Sequence, residues 1–142
     1  MRAPVLLDTG PLVAFLSRHD HHHRWAREVL DEIHPPLYTC EAVISEACFL
    51  LRRSRGGPAA VLELVARGLV LVDFDLQEEA EAVENLLTKY ADQPASLADA
   101  ALVRLAELHA GARVLTTDSD FHVYRKNRRQ RIPLIAPTGP QA

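Results

Sequence analysis

Five short aliphatic runs, separated by stretches with helical spacing, constrain this chain more than any other feature. They are Val5-Leu6-Leu7, Leu37 to Cys40, Leu69 to Val72, Val114-Leu115-Thr116 and Ile132 to Ile135. Each is too short for a helix and is bounded by turn residues or acids, so each reads as a buried strand. Thr9-Gly10-Pro11 follows the first run, and Pro11 suits the first position of a helix that reaches Leu16. From Asp20 to about Ile33, Trp25, Ala26, Val29, Leu30 and Ile33 recur at helical spacing until Pro35-Pro36 stops them. The next helix turns Val43, Ala47, Leu50 and Leu51 inward, Gly56-Gly57-Pro58 breaks it, and another covers Ala59 to Arg67. Leu76 to Tyr90 is helical, with Glu78, Glu79, Glu81 and Glu84 as a solvated face. After the loop Asp92-Gln93-Pro94-Ala95, a helix from Leu97 to His109 ends at Gly111.

Strands alternating with helices predict an α/β fold: a three-layer α/β/α sandwich around a mostly parallel sheet of about five strands. With 142 residues, 48% of them hydrophobic, and no internal repeat or linker, one domain over residues 1–142 is expected. No apolar run approaches the roughly 20 residues of a membrane span. The opening Met1-Arg2-Ala3-Pro4-Val5-Leu6-Leu7 meets Asp8 before a signal-peptide core can form. A cytoplasmic protein is expected. Cys40 and Cys48 match no disulfide framework or metal spacing and read as two small buried thiols. A net charge of −3 does not mark a nucleic-acid binder, yet Arg125, Lys126, Arg128, Arg129 and Arg131 concentrate positive charge near the C-terminus.

In open parallel sheets, sites form beyond the carboxyl ends of the strands. Asp8 ends the first strand, and Asp118 follows the fourth in Thr116-Thr117-Asp118-Ser119-Asp120-Phe121. Either could be an ordinary turn or cap residue, and Thr117-x-x-Asp120 fits a capping box. Glu46 borders the inward stripe of its helix, where an acid must be paired, for example with Arg53, or bound to a metal. Asp99 fits a capping box with Ser96, yet shares a face with Leu102, Val103 and Ala106. One acid can serve both roles. Singly these are weak signals; together they supply the carboxylates that a two-cation phosphoryl-transfer site requires, since hard ions such as Mg²⁺ prefer oxygen.

Val5-Leu6-Leu7-Asp8-Thr9-Gly10, Ile44-Ser45-Glu46-Ala47, Leu97-Ala98-Asp99-Ala100 and Leu115-Thr116-Thr117-Asp118-Ser119-Asp120-Phe121, in that order, resemble the PIN-domain nucleases. The nearest likeness is to the toxin ribonucleases of bacterial VapBC toxin–antitoxin pairs. The resemblance implies an Mg²⁺- or Mn²⁺-dependent endoribonuclease whose products carry a 3′-hydroxyl and a 5′-phosphate. It also implies an RNA substrate, a cognate antitoxin and a homodimer. By position, Asp8, Glu46, Asp99 and Asp118 become the metal-binding quartet, supported by Thr117 and Asp120. Glu41 rivals Glu46, and Asp92 is a further acid near the site. Arg52, Arg53, Arg125, Lys126 and Arg128 form either a solvated basic surface or a track for RNA phosphates. The run His21-His22-His23, with His19 before it, opens a helix beside Asp20 and reads as solvated, one ring packing beside Trp25.

Three other functions compete: a PIN nuclease of RNA processing, a PIN-like binding module without catalysis, and a receiver or aspartyl-phosphatase domain. The last fits poorly. Asp8-Thr9-Gly10 lacks the Asp-x-Asp of the phosphatases, and Lys89 and Lys126 are the only lysines.

Overall fold

The computed structural model describes residues 3–137; Met1 and Arg2, which open the sequence, lie outside them. Five strands form one sheet: β1 (Val5–Leu7), β2 (Leu37–Thr39), β3 (Val70–Val72), β4 (Arg113–Leu115) and β7 (Leu134–Ile135), in the order β3-β2-β1-β4-β7. All four pairings are parallel, so the expected mostly parallel sheet is parallel throughout. Leu7 stands beside Leu115 across the central pair. Successive residues of β1 point to opposite faces, and all three are buried, so both faces of the sheet are covered at its centre.

Six helices surround the sheet: α1 (Thr9–Leu16), α2 (His23–Glu32), α3 (Glu41–Leu50), α4 (Gly57–Ala66), α5 (Leu76–Lys89) and α6 (Leu97–Leu108). The most deeply set is α6, which buries Ala98, Ala100, Ala101, Leu102, Val103, Leu105 and Ala106 and packs against β1 and β4. Its alanines let backbone approach backbone. Because α6 leads into β4 and runs back along it, its first turn lies near the carboxyl end of that strand. No helix among the described residues is long and apolar enough to cross a membrane.

Several local expectations change. The inward stripe of α3 is Val43, Ala47 and Leu51, spaced by four, and Leu50 is 52% exposed instead of buried. Glu79 on α5 is not part of a solvated face: it accepts from Arg104 at 2.7 Å, half-buried. α2 begins at His23, and Asp20 holds the preceding turn by accepting from the His22 amide at 2.8 Å. Cys40 is buried and Cys48 only half-buried; both are free thiols. A two-stranded antiparallel hairpin, β5 (Arg125–Lys126) and β6 (Gln130–Arg131), was not foreseen.

Candidate active site

The strand order reverses between β1 and β4: from β1 the chain builds outward through β2 and β3, and from β4 it builds the other way to β7. Loops leaving adjacent strands at such a switch point diverge and leave a crevice. Asp8 and Asp118 stand on its two sides. Asp8 leaves β1 as the N-cap of α1, and its backbone amide donates to Leu115 O at 3.0 Å, tying it to β4. The side chain is 5% exposed. Its Oδ1 accepts from the Thr9 amide at 2.8 Å and its Oδ2 from the Thr116 hydroxyl at 2.6 Å.

Thr116, fully buried, is the joint of the site. While donating to Asp8, its oxygen accepts from the Asp118 amide at 2.8 Å, linking the two strand-end acids through one hydroxyl. Asp118 in turn accepts from the Asp120 amide at 2.9 Å and caps a 3₁₀ turn, Ser119–His122. The expected cap Thr117 is therefore replaced by Asp118, and Thr117 instead lines the crevice. Asp99 closes the anticipated capping box and also lines the cleft. Its Oδ2 accepts from the Ser96 amide, and its own amide donates to Ser96 Oγ, each at 3.1 Å, closing the capping box. The same carboxylate accepts from Tyr124 Oη at 3.3 Å and faces the crevice.

Asp8, Glu46, Asp99 and Asp118 thus line one cleft of about 420 Å³, with Thr9, Gly10, Ser96 and Thr117 among its walls. Glu46 borders the buried stripe of α3, as its spacing predicts, and reaches the cleft from there. It is exposed, and no ion pair joins it to Arg53 or any other cation among the described residues. Glu41 lines a neighbouring hollow with Phe49 and Phe74 rather than this cleft, and Asp92 is exposed away from it. Asp120 serves through its backbone.

None of the sequence-nominated basic residues lines the cleft. Arg52 lies over the Phe49 ring at 4.0 Å and donates to Phe49 O. Arg125 donates to three carbonyls at the end of the 3₁₀ turn, those of His122, Val123 and Tyr124. Lys126 is buried in the hairpin; Arg53 and Arg128 are exposed. Thr116, Ser96, Tyr124, Asp20 and His22 belong to the site or its supports and were not nominated. For Thr116 and Ser96 the signal was present, as hydroxyls next to nominated acids. For Tyr124 and the Asp20–His22 turn the contacts are tertiary.

The electrostatics are those of crowded acids without cations. Burial pushes the Asp8 carboxyl up to about 7; hydrogen bonds from Thr116 and Thr9 oppose this, and the charges of Asp99 and Asp118 add to it. Asp99 is raised by burial and by Asp118, against the Ser96 hydrogen bonds. Burial and the Asp99 charge also raise the Tyr124 hydroxyl, which therefore stays a protonated donor. No arginine or lysine among the described residues pairs with any of these acids.

The donor chemistry fits a hard divalent ion: carboxylates only, with Asp8 using two of its roughly four lone-pair sites. In the arrangement described, no three metal-ligating side chains enclose an ion. The hydrogen bonds above hold Asp8, Asp99 and Asp118 against their own loops. Thr9 Oγ1 is buried at the base of the cleft with no hydrogen-bond partner.

Comparison with known proteins follows the same lines. Residues 5–127 match the family model described as PIN domain. The chain is 30% identical over 116 residues to ribonuclease VapC26 of Mycobacterium tuberculosis, spanning 80% of this chain and 86% of that protein. The crystal structure of Mycobacterium tuberculosis VapC20, described as a sarcin–ricin loop cleaving toxin, is similar in fold. Its TM-score is 0.69 at 24% identity, over 84% of this chain and 93% of that one.

Proposed function

This chain belongs to the PIN-domain family, and from that premise we propose that it is a divalent-metal-dependent endoribonuclease, the toxin of a toxin–antitoxin pair, with Asp8, Glu46, Asp99 and Asp118 as its metal-binding acids. The observation that carries the reading is their convergence. Four carboxylates separated by up to 110 positions line one cleft at the sheet's switch point, and no lysine or arginine among the described residues pairs with them. Burying uncompensated carboxylates costs several kcal/mol per charge, on the order of what opposite charge in the site would return. Mg²⁺ or Mn²⁺, when bound, supplies activation of water and screening of the phosphodiester.

The protein's part is positional. Thr116 fixes Asp8 and Asp118 relative to each other, the capping box and Tyr124 fix Asp99, and Glu46 closes the cleft from α3. Hydrolysis in such a site leaves a 3′-hydroxyl and a 5′-phosphate. No lysine or arginine in the cleft is placed to replace the cations. The exposed Phe49 and Leu50 of α3 give a surface for an antitoxin or a second copy of the chain. An RNA substrate implies a cytoplasmic site of action.

The test is cleavage of an RNA panel that includes transfer RNA and a sarcin–ricin stem–loop, under Mg²⁺, Mn²⁺ or EDTA, by wild type, Asp8→Asn and Asp99→Asn. Metal-dependent cutting lost in both variants, with circular dichroism unchanged, is the expected result. Equal cutting by wild type and variants would remove these acids from the site.

A further inference from the structure

Among the described residues, one imidazole lines the acidic cleft, and its ring N–H can donate to a polyanion. The cleft walls carry five carboxylates, those of Asp8, Asp20, Glu46, Asp99 and Asp118, and a single imidazole, His22; no lysine or arginine is among them. We propose that His22 contacts the RNA substrate, donating a hydrogen bond from its ring to a phosphate oxygen beside the scissile bond. This rests on the nuclease reading above and adds a substrate-positioning residue to it.

The turn carrying His22 is held firmly. The Asp20 amide donates to Ser17 O at 3.1 Å, Asp20 Oδ1 accepts from the His22 amide at 2.8 Å, and Asp20 O accepts from the His23 amide at 3.0 Å. His23 Nδ1 lies 2.7 Å from Ala14 O, fastening the turn to α1, the helix that Asp8 caps. The His22 ring is half-buried and meets His21 edge-to-face at 4.7 Å and Trp25 at 6.2 Å. Neither ring nitrogen has a protein partner among the described residues. A ring positioned by aromatic packing, with its polar edge unsatisfied at the mouth of a cleft, is prepared for a ligand acceptor. RNA phosphate is that acceptor: cations held by the acids would screen the scissile phosphate, whereas a flanking phosphate would face the exposed Glu46 and the half-buried Asp20, and an imidazole N–H there offsets their repulsion. Its basic competitors are elsewhere. Arg52 and Arg125 are occupied by backbone carbonyls outside the cleft.

The experiment compares wild type, His22→Phe, which keeps the aromatic packing without the donor, and His22→Gln, which keeps a donor. Binding of fluorescently labelled RNAs of the same panel is measured by anisotropy with Ca²⁺ replacing Mg²⁺, and cleavage of the same RNAs by steady-state kinetics in Mg²⁺. The expected result is a roughly 3- to 10-fold rise in Kd and in KM for His22→Phe. kcat should not change, the thermal midpoint should match wild type, and His22→Gln should recover most of the loss. His22→Phe indistinguishable from wild type in both assays overturns the proposal, as does a fall in kcat at unchanged KM. Wild type that binds panel RNA but cuts none of it removes the nuclease reading and leaves the His22 comparison readable in the binding assay. Wild type that neither binds nor cuts overturns both.

Discussion

Burial takes Asp8 out of water, and the two hydrogen bonds returned by Thr116 and the Thr9 amide do not cover that cost, so its carboxyl titrates near 7 instead of near 4. Because the folded-state value lies above the unfolded one, the native state binds the proton more tightly. The associated stability is fully present below about pH 4, declines as pH rises, and is gone once pH passes 7. Asp8→Asn removes this dependence. Without divalent ions the variant is therefore expected to be more stable than wild type above pH 7, by roughly 1–3 kcal/mol. The gain should shrink steadily toward pH 4, read from urea midpoints across that range, while RNA cleavage is abolished at every pH. A variant less stable than wild type at pH 8 would contradict the assignment of an uncompensated charge. Tyr124→Phe makes the complementary test on Asp99: its hydroxyl touches only that carboxylate, at 3.3 Å, while its ring packs on Phe121 and Tyr90. Stability should change by less than about 1 kcal/mol, but the Mg²⁺ concentration giving half-maximal thermal shift should rise. At this scale the sequence exposed the acids, because a charge after an aliphatic run is conspicuous. It hid Thr116, Tyr124 and His22, whose importance lies in partners up to 108 positions away.

Between elements, the first turn of α1 lies against the loop that follows β4. A Cβ built on Gly10 would overlap Thr117 Oγ1, and only glycine lets the first turn of α1 lie against that loop. Gly10→Ala should destabilise the protein by about 1–3 kcal/mol. Added to Thr117→Ala, which removes the obstructing oxygen, it should cost far less; thermal or urea unfolding of the two singles and the double measures the coupling. If the double mutant simply adds the two losses, the contact is not what selects glycine. Ser96→Ala, which opens the capping box on α6, should cost about 1 kcal/mol and loosen Asp99 at the same time. The strands and helices themselves were readable, since a buried parallel sheet writes its strands as aliphatic runs and its helices as periodic ones. Two features escaped for definite reasons. The β5–β6 hairpin has no apolar alternation: it is built from Arg125-Lys126 and Gln130-Arg131 around a turn with positive φ at Asn127 and Arg128, and is anchored by Glu107 accepting from the Asn127 amide at 2.7 Å. The exact face of α3 was ambiguous because apolar residues occur all around it, so that Glu46 adjoined the stripe in sequence while the fold placed it at the cleft's open edge.

Taken as one object, the molecule carries a cleft walled by carboxylates and, among the described residues, by no lysine or arginine. The carboxylates gather at the carboxyl ends of the central strands, whereas Arg128, Arg129 and Arg131 are exposed on the hairpin. A net charge of −3 is then a poor guide to whether RNA can approach, because the repulsive part sits where cations would bind. Divalent ions that bind only the folded protein must also stabilise it, by RT ln(1 + [L]/Kd), or about 2.7 kcal/mol at a hundredfold excess over Kd. Mg²⁺ or Mn²⁺ should accordingly raise the thermal midpoint by several degrees above an ionic-strength-matched NaCl control. The shift should be larger at pH 8 than at pH 6, where protons compete for Asp8, which burial and neighbouring acids push up to about 7. Asp8→Asn should lose most of that shift although it is the more stable apo protein, so that the two stability curves converge or cross as Mg²⁺ is added. Differential scanning fluorimetry over a metal and pH grid reads this directly. Parallel curves for wild type and variant would mean that the acids gather for a reason other than holding a cation.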